Sequence, residues 1–401
     1  MSELQYWVWL SERLSVRPRR KIELLEAFGW DVRRLYFALE DDYRTALPGI
    51  PAGELRDLKD KDLSGADAAL AALERRNGTV LTIRDAAYPE RLRRIFDPPA
   101  VLYLEGRMPR LDDCVSVAIA GTRKASTYGI RTASRLGSEI AACGGIVVSG
   151  LTAGIDGEGA RGAIRAGGVC IGVLGGPIDA PFASGLRGKV LDRGAVVSEY
   201  APGSRIGKAG FRARNRITAG LCLAAVIVEA PAHSGALLLA GDVLSENRDL
   251  FAVPGNADAE SSAGTNALLK EGAAPATCGW DVLRGYVSLY PGAVRQAEPP
   301  AEEPIETGED FAVLRRPIRQ KVIDKEKNRE YIGLQQAPAD LTETQKAICA
   351  AMDQPGMQVD DIIRRSGLPA AAVLSELTMM QILGYVAQEP GKRFSLRWNQ
   401  K

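Results

Sequence analysis

The sequence predicts an α/β fold: a Rossmann-like, doubly wound parallel sheet with a small helical N-terminal domain and a C-terminal winged-helix domain. Three observations predict it. Between residues 115 and 290, apolar runs alternate with helical patterns across short junctions that contain glycine. The runs are continuous rather than alternating, which indicates strands buried on both faces. The segments before and after this region repeat their apolar residues at helical spacing instead.

The N-terminal domain is predicted over residues 1–75, where apolar side chains recur three or four positions apart, as on one face of a helix. Within it, Leu47-Pro-Gly-Ile50 resembles the turn of a helix-hairpin-helix motif, whose backbone amides can meet a phosphate. A plain connection between two helices of a SAM-like bundle explains the same four residues. We favour the connection, because a match this short is weak.

The central domain is predicted over residues 76–290, with an N-terminal extension over 76–113. In the extension, residues 79–83 predict a strand, and a turn-rich stretch from Tyr88 leads into a second strand that ends at Gly106. The strands of the main sheet are predicted at Val115–Ala120, Ile146–Ser149, Val169–Leu174, Ala195–Glu199, Ala224–Glu229 and Leu250–Val253. The helices between them are predicted at Gly129–Cys143, Asp156–Ala166, Ala213–Leu221 and Ala236–Asn247.

The C-terminal part of the chain begins with a predicted linker over residues 291–338, which is rich in proline and carries an acidic run from Glu298 to Asp310. Residues 339–401 then predict a winged helix. Its helices are predicted over 342–352, 359–366 and 370–383, and a hairpin over 385–396 has Pro390-Gly391 at its tip.

The charge of this winged helix argues against a simple role in reading duplex DNA. Residues 338–401 hold seven cations and seven acids, and the predicted recognition helix, 369–382, has no cation. A helix that enters a DNA groove normally neutralises phosphates at the same time. We therefore expect a protein-contact or accessory role at least as readily, with Lys392 and Arg393 as candidates for a duplex contact.

Composition narrows the class of protein. The 401-residue chain has a formal net charge of +1, so a site for a polyanion must be a local cluster of cations. Its one histidine, His233, and six scattered cysteines without a C-x-x-C pair argue against zinc sites and disulfide frameworks. No apolar run could span a membrane and no signal peptide is evident, so we expect a cytoplasmic protein.

Catalytic motifs are also missing from the sequence. Gly203–Lys208 is one residue too short for the phosphate-binding loop of an ATPase and lacks the Ser or Thr that holds magnesium. His233 and Ser234 are adjacent, so their side chains point apart, and no third partner for a triad is evident. We therefore expect a protein that is not an enzyme and that uses no metal or cofactor.

Two strand-to-helix junctions offer groups for a phosphate. In a doubly wound sheet, ligands bind beyond the carboxyl ends of the strands. The junction at Gly121–Lys124 combines a tight-turning glycine, a threonine hydroxyl and two cations, without the spacing of a dinucleotide fingerprint. The next junction, from Ser149 to Asp156, offers further loop amides, although Asp156 could equally cap a helix.

A basic run spans Gly203–Arg216 and contains five cations, no acid and one aromatic residue, Phe211. A solvated loop is the plain interpretation. We favour binding, because the run lies at the ligand-binding edge and combines cations that can follow a backbone with a ring that can stack a base. Asn215 and Arg216 begin a helix and could hold loop backbone instead, and that alternative stays open.

The predicted single-stranded DNA site therefore comprises Gly121, Thr122, Arg123, Lys124, Ser149, Gly150, Lys208, Phe211, Arg212, Arg214, Asn215 and Arg216. Of these, we expect Arg123, Lys208 and Phe211 to be direct contacts. The prediction requires the cations near positions 123 and 208 to meet around one hollow at the edge of the sheet.

Nine stretches of the chain, in order, carry a resemblance to a known family. They are Tyr88–Leu92 with Asp97–Tyr103, Val117–Arg123, Val148–Asp156, Ser198–Gly203, Phe211–Leu221, Val228–Ala230, Ser234–Ala236, Phe251–Gly255 and Gly264–Ala273. They resemble the motifs of the DNA-processing protein A family, also called DprA or Smf, over about residues 79–285.

The resemblance implies a function. Members of this family bind single-stranded DNA without catalysis, protect incoming DNA and load the RecA recombinase onto it. They do so in natural transformation, which takes place in cells in the state of competence. They look like homodimers through the α/β domain. The resemblance implies pocket contacts at Gly121, Thr122, Arg123, Lys208 and Phe211, the positions to which the charge argument also points.

The sequence departs from the family pattern at four places. Thr122 stands where the family has Ser, Gly157–Ala160 where it has His-x-x-A, and Arg212 where it has Pro. Ala153 stands where the family has Arg, which removes a cation from the second junction.

Two other functions stay open. Related folds include phosphoribohydrolases, nucleotide-processing enzymes whose P-G-G-x-G-T-x-x-E loop holds a phosphate. The comparable stretch here, Leu174–Pro181, lacks the G-T and the Glu, and five cations exceed what one phosphate needs. The second function that stays open is that of a transcription regulator built on the winged helix, although the predicted recognition helix has no cation.

Overall fold

The computed structural model describes residues 2–181, 185–207, 209–297, 341–354, 356–382, 385–389 and 393–396. The chain divides into two compact units, over residues 1–306 and 307–401. Within the described ranges, every helix is too short or too polar to cross a membrane. Most of the predicted linker lies outside the described residues, so the linker and the domain boundaries stay predictions.

Six helices form the N-terminal part of the first unit, as the helical spacing of apolar residues predicts. They are α1 Glu3–Glu12, α2 Pro18–Ala27, α3 Val32–Phe37, α4 Glu40–Ala46, α5 Ala52–Lys59 and α6 Ser64–Glu74. The turn around Pro48-Gly49 joins α4 to α5, and Ile50 beside it is buried. Both a plain helix connection and a helix-hairpin-helix have this outline, so the preference for the plain connection stays a prediction.

A nine-stranded sheet follows. Its strands are β1 Gly78–Thr82, β2 Val101–Gly106, β3 Ser116–Ala120, β4 Ile146–Ser149, β5 Cys170–Val173, β6 Ala195–Ser198, β7 Ala224–Ile227, β8 Asp249–Ala252 and β9 Ala274–Pro275. The order across the sheet is β1-β2-β6-β5-β4-β3-β7-β8-β9. From β6 to β9 every pairing is parallel, and the predicted doubly wound sheet is confirmed. The two extension strands add an antiparallel edge.

The strand order reverses at β3, which sets where a ligand can bind. The chain runs outward through β4, β5 and β6 on one side of β3, and then through β7, β8 and β9 on the other. Val117 pairs with Val147 on one neighbour and with Ala224 on the other. The loops after β3 and β7 therefore leave the sheet in opposite directions and open a crevice between them.

Helices cover both faces of this sheet. They are α7 Glu90–Arg93, α8 Thr127–Ala142, α9 Ile155–Arg165, α10 Arg187–Leu191, α11 Ala209–Leu221, α12 Gly235–Ser245, α13 Ala263–Lys270 and α14 Gly279–Leu283. The four long ones are the predicted helices, with shifted ends. The largest shift is in α11, which begins four residues before the predicted start at Ala213.

The N-terminal helices share one core with the sheet. The hydroxyl groups of Ser11 in α1 and Tyr103 in β2 lie 2.6 Å apart and share a hydrogen bond, and both residues are buried. Lys21 of α2 is also buried at this junction, where its ammonium group donates to the Ser11 carbonyl oxygen at 2.8 Å. Burial lowers the pKa of Lys21 to about 8, although the nearby Glu199 acts in the opposite direction.

The second unit is the predicted winged helix. Its elements are α15 Glu343–Ala351, β10 Met357–Gln358, α16 Val359–Ser366, α17 Ala370–Ile382, β11 Val386–Glu389 and β12 Arg393–Leu396. β11 and β12 form the predicted antiparallel hairpin, and β10 pairs with the other side of β12. A separate core around Ile348, Ile362 and Leu377 holds the helices to it. The hairpin tip and Lys392 lie outside the described residues.

Candidate nucleic-acid interface

The loop after β3 brings two cations to the carboxyl edge of the sheet. The side chains of Arg123 and Lys124 are exposed, and neither makes an ion pair with a described residue. The backbone beneath them is held internally: the N–H of Gly121 donates to Asp156 Oδ1 at 3.3 Å, and that of Thr122 to the Glu229 carbonyl oxygen at 2.7 Å. These two amides are therefore occupied, and the side chains remain for a phosphate.

Only glycine fits at position 121. A Cβ there would lie 2.6 Å from Ile155 Cγ1 and 2.7 Å from the carbonyl oxygen of Glu229, both closer than real Cβ contacts allow. This close packing brings Gly121, after β3, against Ile155, after β4, and Glu229, after β7. The sequence-based expectation of a tight turn at Gly121 therefore has a packing reason.

The basic run is part helix, and this corrects the predicted loop. Because α11 begins at Ala209, Phe211, Arg212 and Arg214 lie in its first two turns. The early start is allowed by close packing: a Cβ on Gly210 would overlap the carbonyl oxygen of Gly175, in the loop after β5. Phe211 and Arg212 remain exposed there, and 42% of the Phe211 surface is accessible.

Arg123 and Phe211 meet, although they come from different junctions. The guanidinium carbon of Arg123 lies 4.6 Å from the ring centroid of Phe211, and that of Arg214 lies 6.0 Å from it. A cation over an aromatic face is a favourable contact in itself. The predicted meeting of charges from distant parts of the chain is thus present for Arg123 and the basic run. Lys208 lies outside the described residues, so its part stays a prediction.

Arg214 is held from below by Asp156. Its Nη1 lies 3.7 Å from Asp156 Oδ2, and its Nη2 donates to Asn215 Oδ1 at 3.2 Å. Gly150 leaves the space that this guanidinium fills, because a Cβ there would overlap Nη1. Burial raises the pKa of the Asp156 carboxyl group, while Arg214 pulls it down. Arg214 Nε and Nη1 have no hydrogen-bond acceptor among the described residues.

Three other predicted site residues are buried in internal contacts. Arg216 donates to Glu199 Oε1 at 2.6 Å and to the Asp97 carbonyl oxygen at 2.8 Å. Asn215 is 5% exposed and Ser149 1% exposed, and the Ser149 hydroxyl donates to the Asp156 carbonyl oxygen at 2.8 Å. For Asn215 and Arg216, this geometry favours the alternative in which they hold protein backbone and side chains rather than ligand.

Sequence reasoning missed two residues at this edge. Glu229, after β7, is 2% exposed and accepts the N–H of Ser126 at 2.8 Å, which fixes the start of α8. Tyr128, in the first turn of α8, is 54% exposed, and its hydroxyl donates to the Pro254 carbonyl oxygen at 3.2 Å. Tyr128 follows the Gly121–Lys124 junction by four residues, and an aromatic residue so close to it was the available signal.

The described residues form no cluster of three or more acidic, His or Cys side chains suited to a metal ion. Two cavities lie between the N-terminal helices and the loop after β6. Arg205 of the basic run lines one of them, and Gly203 lines the other. The side chains of Arg123, Lys124, Phe211 and Arg212 are exposed, and such an open surface suits a chain that lies across it better than a small molecule enclosed by it.

Comparison with known proteins covers almost the whole chain. A family model described as DNA recombination-mediator protein A matches residues 79–286, and one described as DprA winged helix domain matches residues 334–392. Protein Smf of Synechocystis is 30% identical over 411 residues, which span 99% of each chain. The DNA processing protein DprA of Bacillus subtilis is 34% identical over 207 residues, 51% of this chain and 70% of that protein.

A solved structure shares the fold. The X-ray structure of DNA processing protein A from Streptococcus pneumoniae superimposes with a TM-score of 0.60 and 30% identity. The match covers 71% of this chain and 98% of that one.

Proposed function

The chain belongs to the DNA processing protein A family (DprA/Smf), and from this premise we propose that it binds single-stranded DNA without catalysis. The family matches confirm the resemblance predicted from the nine motifs and the predicted winged helix. They make this chain a DNA-processing protein. The finer proposal rests on the geometry of the carboxyl edge.

One observation carries the proposal: Arg123 lies over Phe211 at an exposed edge that also carries Lys124 and Arg212. A ring beside unpaired cations is the arrangement that binds an unpaired strand, because a base stacks on the ring while the cations meet the backbone. Each stacked base contributes about 1–3 kcal/mol. The bases of a duplex are already stacked on one another, so this arrangement favours a single strand.

The proposed roles differ among the predicted residues. Arg123, Lys124, Lys208 and Arg212 would meet phosphates, and Phe211 would stack a base. Thr122 would donate its hydroxyl to a phosphate, since its oxygen already accepts the Lys124 N–H at 3.2 Å. A further set would position these contacts from behind, through the internal bonds described above: Gly121, Ser149, Gly150, Arg214, Asn215 and Arg216.

We also propose the role of the family for the bound strand: protection of incoming DNA and loading of RecA onto it, in natural transformation. A homodimer through the α/β domain and a cytoplasmic location belong to the same proposal. For the winged helix we propose a protein-contact or accessory role. Leu374 and Met379 of α17 are each 49% exposed, and the helix has no cation with which to neutralise phosphates.

The test is competition binding to the full chain across a salt series, with a labelled oligo-dT against unlabelled single-stranded and duplex DNA of the same length. We expect single strands to compete far better at every salt concentration. Equal competition by duplex would overturn the proposal. A fragment that ends at residue 297 keeps the core of the first unit, so it should retain the preference if the winged helix is accessory.

The phosphoribohydrolase alternative gains no support from the geometry. In such an enzyme the loop after β5 would hold the phosphate. Here Gly175 of that loop is covered by Gly210 and Phe211 of α11. Release of free base from a nucleoside monophosphate would nevertheless reverse this ranking.

A further inference from the structure

The exposed ring of Tyr128 has no evident role in the core. More than half of its surface is accessible, and its hydroxyl is anchored on the Pro254 carbonyl oxygen at 3.2 Å. Within the described ranges, no second ring and no cation packs over its faces. An aromatic side chain that is exposed yet tethered loses little conformational freedom when something stacks on it.

The loop after β3 places this ring opposite Phe211. On one side the loop sends Arg123 over Phe211, whose ring packs beside Gly175 at the end of β5. On the other side it leads into α8, where Tyr128 reaches Pro254 at the end of β8. Arg123 and Lys124 belong to the loop after β3, a strand that lies between β5 and β8 in the sheet. The carboxyl edge thus carries an aromatic ring, two cations and a second aromatic ring in a row.

We propose that Tyr128 is a second base-stacking platform and that the bound strand runs across the carboxyl edge from Phe211, over Arg123 and Lys124, to Tyr128. The inference rests on the proposed single-stranded DNA binding. It adds the path of the bound strand across the sheet and the number of nucleotides that the site covers. The backbone amides of Gly121 and Thr122 are already bonded to protein, so they are not available to hold the bound strand at the β3 junction.

The sheet sets the distance between the platforms. In the order β5-β4-β3-β7-β8, the strands beside the two rings are four spacings apart, or about 19 Å at about 4.8 Å per spacing. A strand with the stacked rise of about 3.4 Å per nucleotide covers that distance with about six nucleotides, and a more extended strand with fewer. In the stacked geometry, a 4-mer anchored on Phe211 spans only about 14 Å and therefore does not reach Tyr128.

The test measures the affinity of the full chain for oligo-dT of about 4, 6, 8, 12 and 20 nucleotides, lengths on both sides of the six-nucleotide span above. We expect Tyr128→Ala to weaken binding of the 12-mer about five- to a hundredfold, the range of one base stack, and to leave the 4-mer unchanged. Tyr128→Phe keeps the ring and loses only the hydroxyl bond, so it should bind like the wild type at every length. Phe37→Ala removes an equally exposed ring from α3 and serves as the matched control.

Three outcomes distinguish a stacking role of Tyr128 from a purely structural role, and both from a failure of the proposed function. If Tyr128→Phe weakens binding as much as Tyr128→Ala, the residue merely tethers the loop after β8 and the inference is wrong. The inference also fails if Tyr128→Ala affects all lengths equally or none, while Phe211→Ala still weakens binding. If wild-type protein binds no oligonucleotide, the proposed function itself fails. Thermal unfolding of each variant checks that its fold is intact.

Discussion

The guanidinium of Arg123 lies over the ring of Phe211, 4.6 Å from its centroid, so one face of the aromatic ring of the basic run is covered by a cation. A base that stacks on Phe211 must use the other face or move Arg123 aside. In both cases we expect the guanidinium to contact the phosphate next to that base. Charge and stacking at this contact should therefore be separable by mutation.

Arg123→Ala should weaken binding of oligo-dT and reduce its dependence on salt. Each phosphate that loses its cation removes about 0.7 from the slope of log K against log salt for a single strand. Phe211→Ala should weaken binding about five- to a hundredfold and leave that slope unchanged, because a ring releases no counterions. Fluorescence anisotropy across a salt series measures both quantities.

Arg33→Ala is the control for the loss of a charge, since Arg33 is an exposed residue of α3 in the N-terminal part. It should change neither affinity nor slope beyond the small effect of net charge. An Arg123→Ala protein with the wild-type slope would remove Arg123 from the proposed phosphate contacts.

Arg216→Met should destabilise the fold rather than remove a DNA contact. The guanidinium is 14% exposed and donates to Glu199 at 2.6 Å, so the substitution leaves a carboxylate without its cation. Loss of one partner from a buried pair lowers the free energy of unfolding by about 3–5 kcal/mol. Urea unfolding measures this loss, and the protein that remains folded should keep the wild-type salt slope. A normal stability with a reduced slope would return Arg216 to the contact set.

Asp156 and Arg214 should be coupled energetically. Asp156→Asn leaves the largely buried Arg214 without its carboxylate, and Arg214→Gln leaves the buried Asp156 without its cation, so each single change should be clearly destabilising. The double variant removes both charges and should lose less than the sum of the two single losses. Contacting charged residues typically differ from additivity by about 0.5–3 kcal/mol. Additive losses in urea unfolding would mean that the pair does not interact.

Lys21 should contribute a rise in stability with pH between about 8 and 10. Burial lowers the pKa of Lys21 to about 8, so in this interval the unfolded chain binds a proton that the folded chain does not. The free energy of unfolding then gains at most about 1.4 kcal/mol per pH unit from this group. Buried thiols such as Cys170 and Cys222, whose pKa burial raises to about 12, act in the opposite direction, so the test compares a variant with the wild type.

Lys21→Met keeps the length of the side chain and removes the titration, so the slope of stability against pH should be less positive in the variant than in the wild type over the same interval. Lys61, whose pKa is also lowered to about 8 by burial, retains its share of the rise. Lys59→Met, at an exposed lysine that pairs with Glu40, is the control and should keep the wild-type slope. Identical slopes for Lys21→Met and the wild type would contradict the assignment.

The sheet was predictable because its strands carry their own signal. Runs such as Ala224–Ile227 are apolar on both faces, and all four of these residues are fully buried. The start of α11 was not predictable in this way. Gly207 and Gly210 make the preceding segment look like a loop, and the helix begins there because Gly210 packs against Gly175, a contact that no local pattern reveals.

The candidate site, like the fold, was predictable where local sequence determines it and not where it depends on distant residues. A run of cations at one edge indicates a polyanion, and Arg123 and Phe211 do meet there. Which cations remain exposed depends on partners elsewhere in the chain. Arg216 is taken up by Glu199 and Asp97, and Arg214 by Asp156, and the charge pattern between 203 and 216 contains none of these acids.

The hydrogen bond between Ser11 and Tyr103 has a consequence for how the first unit comes apart. Because α1 and β2 are parts of one core, the opening of one exposes apolar surface on the other, and the two should unfold as a single cooperative foldon. Amide hydrogens of α1 and β2 should therefore exchange with the same opening free energy. An exchange of the N-terminal helices for another module would therefore require compensating changes in the strand beneath them.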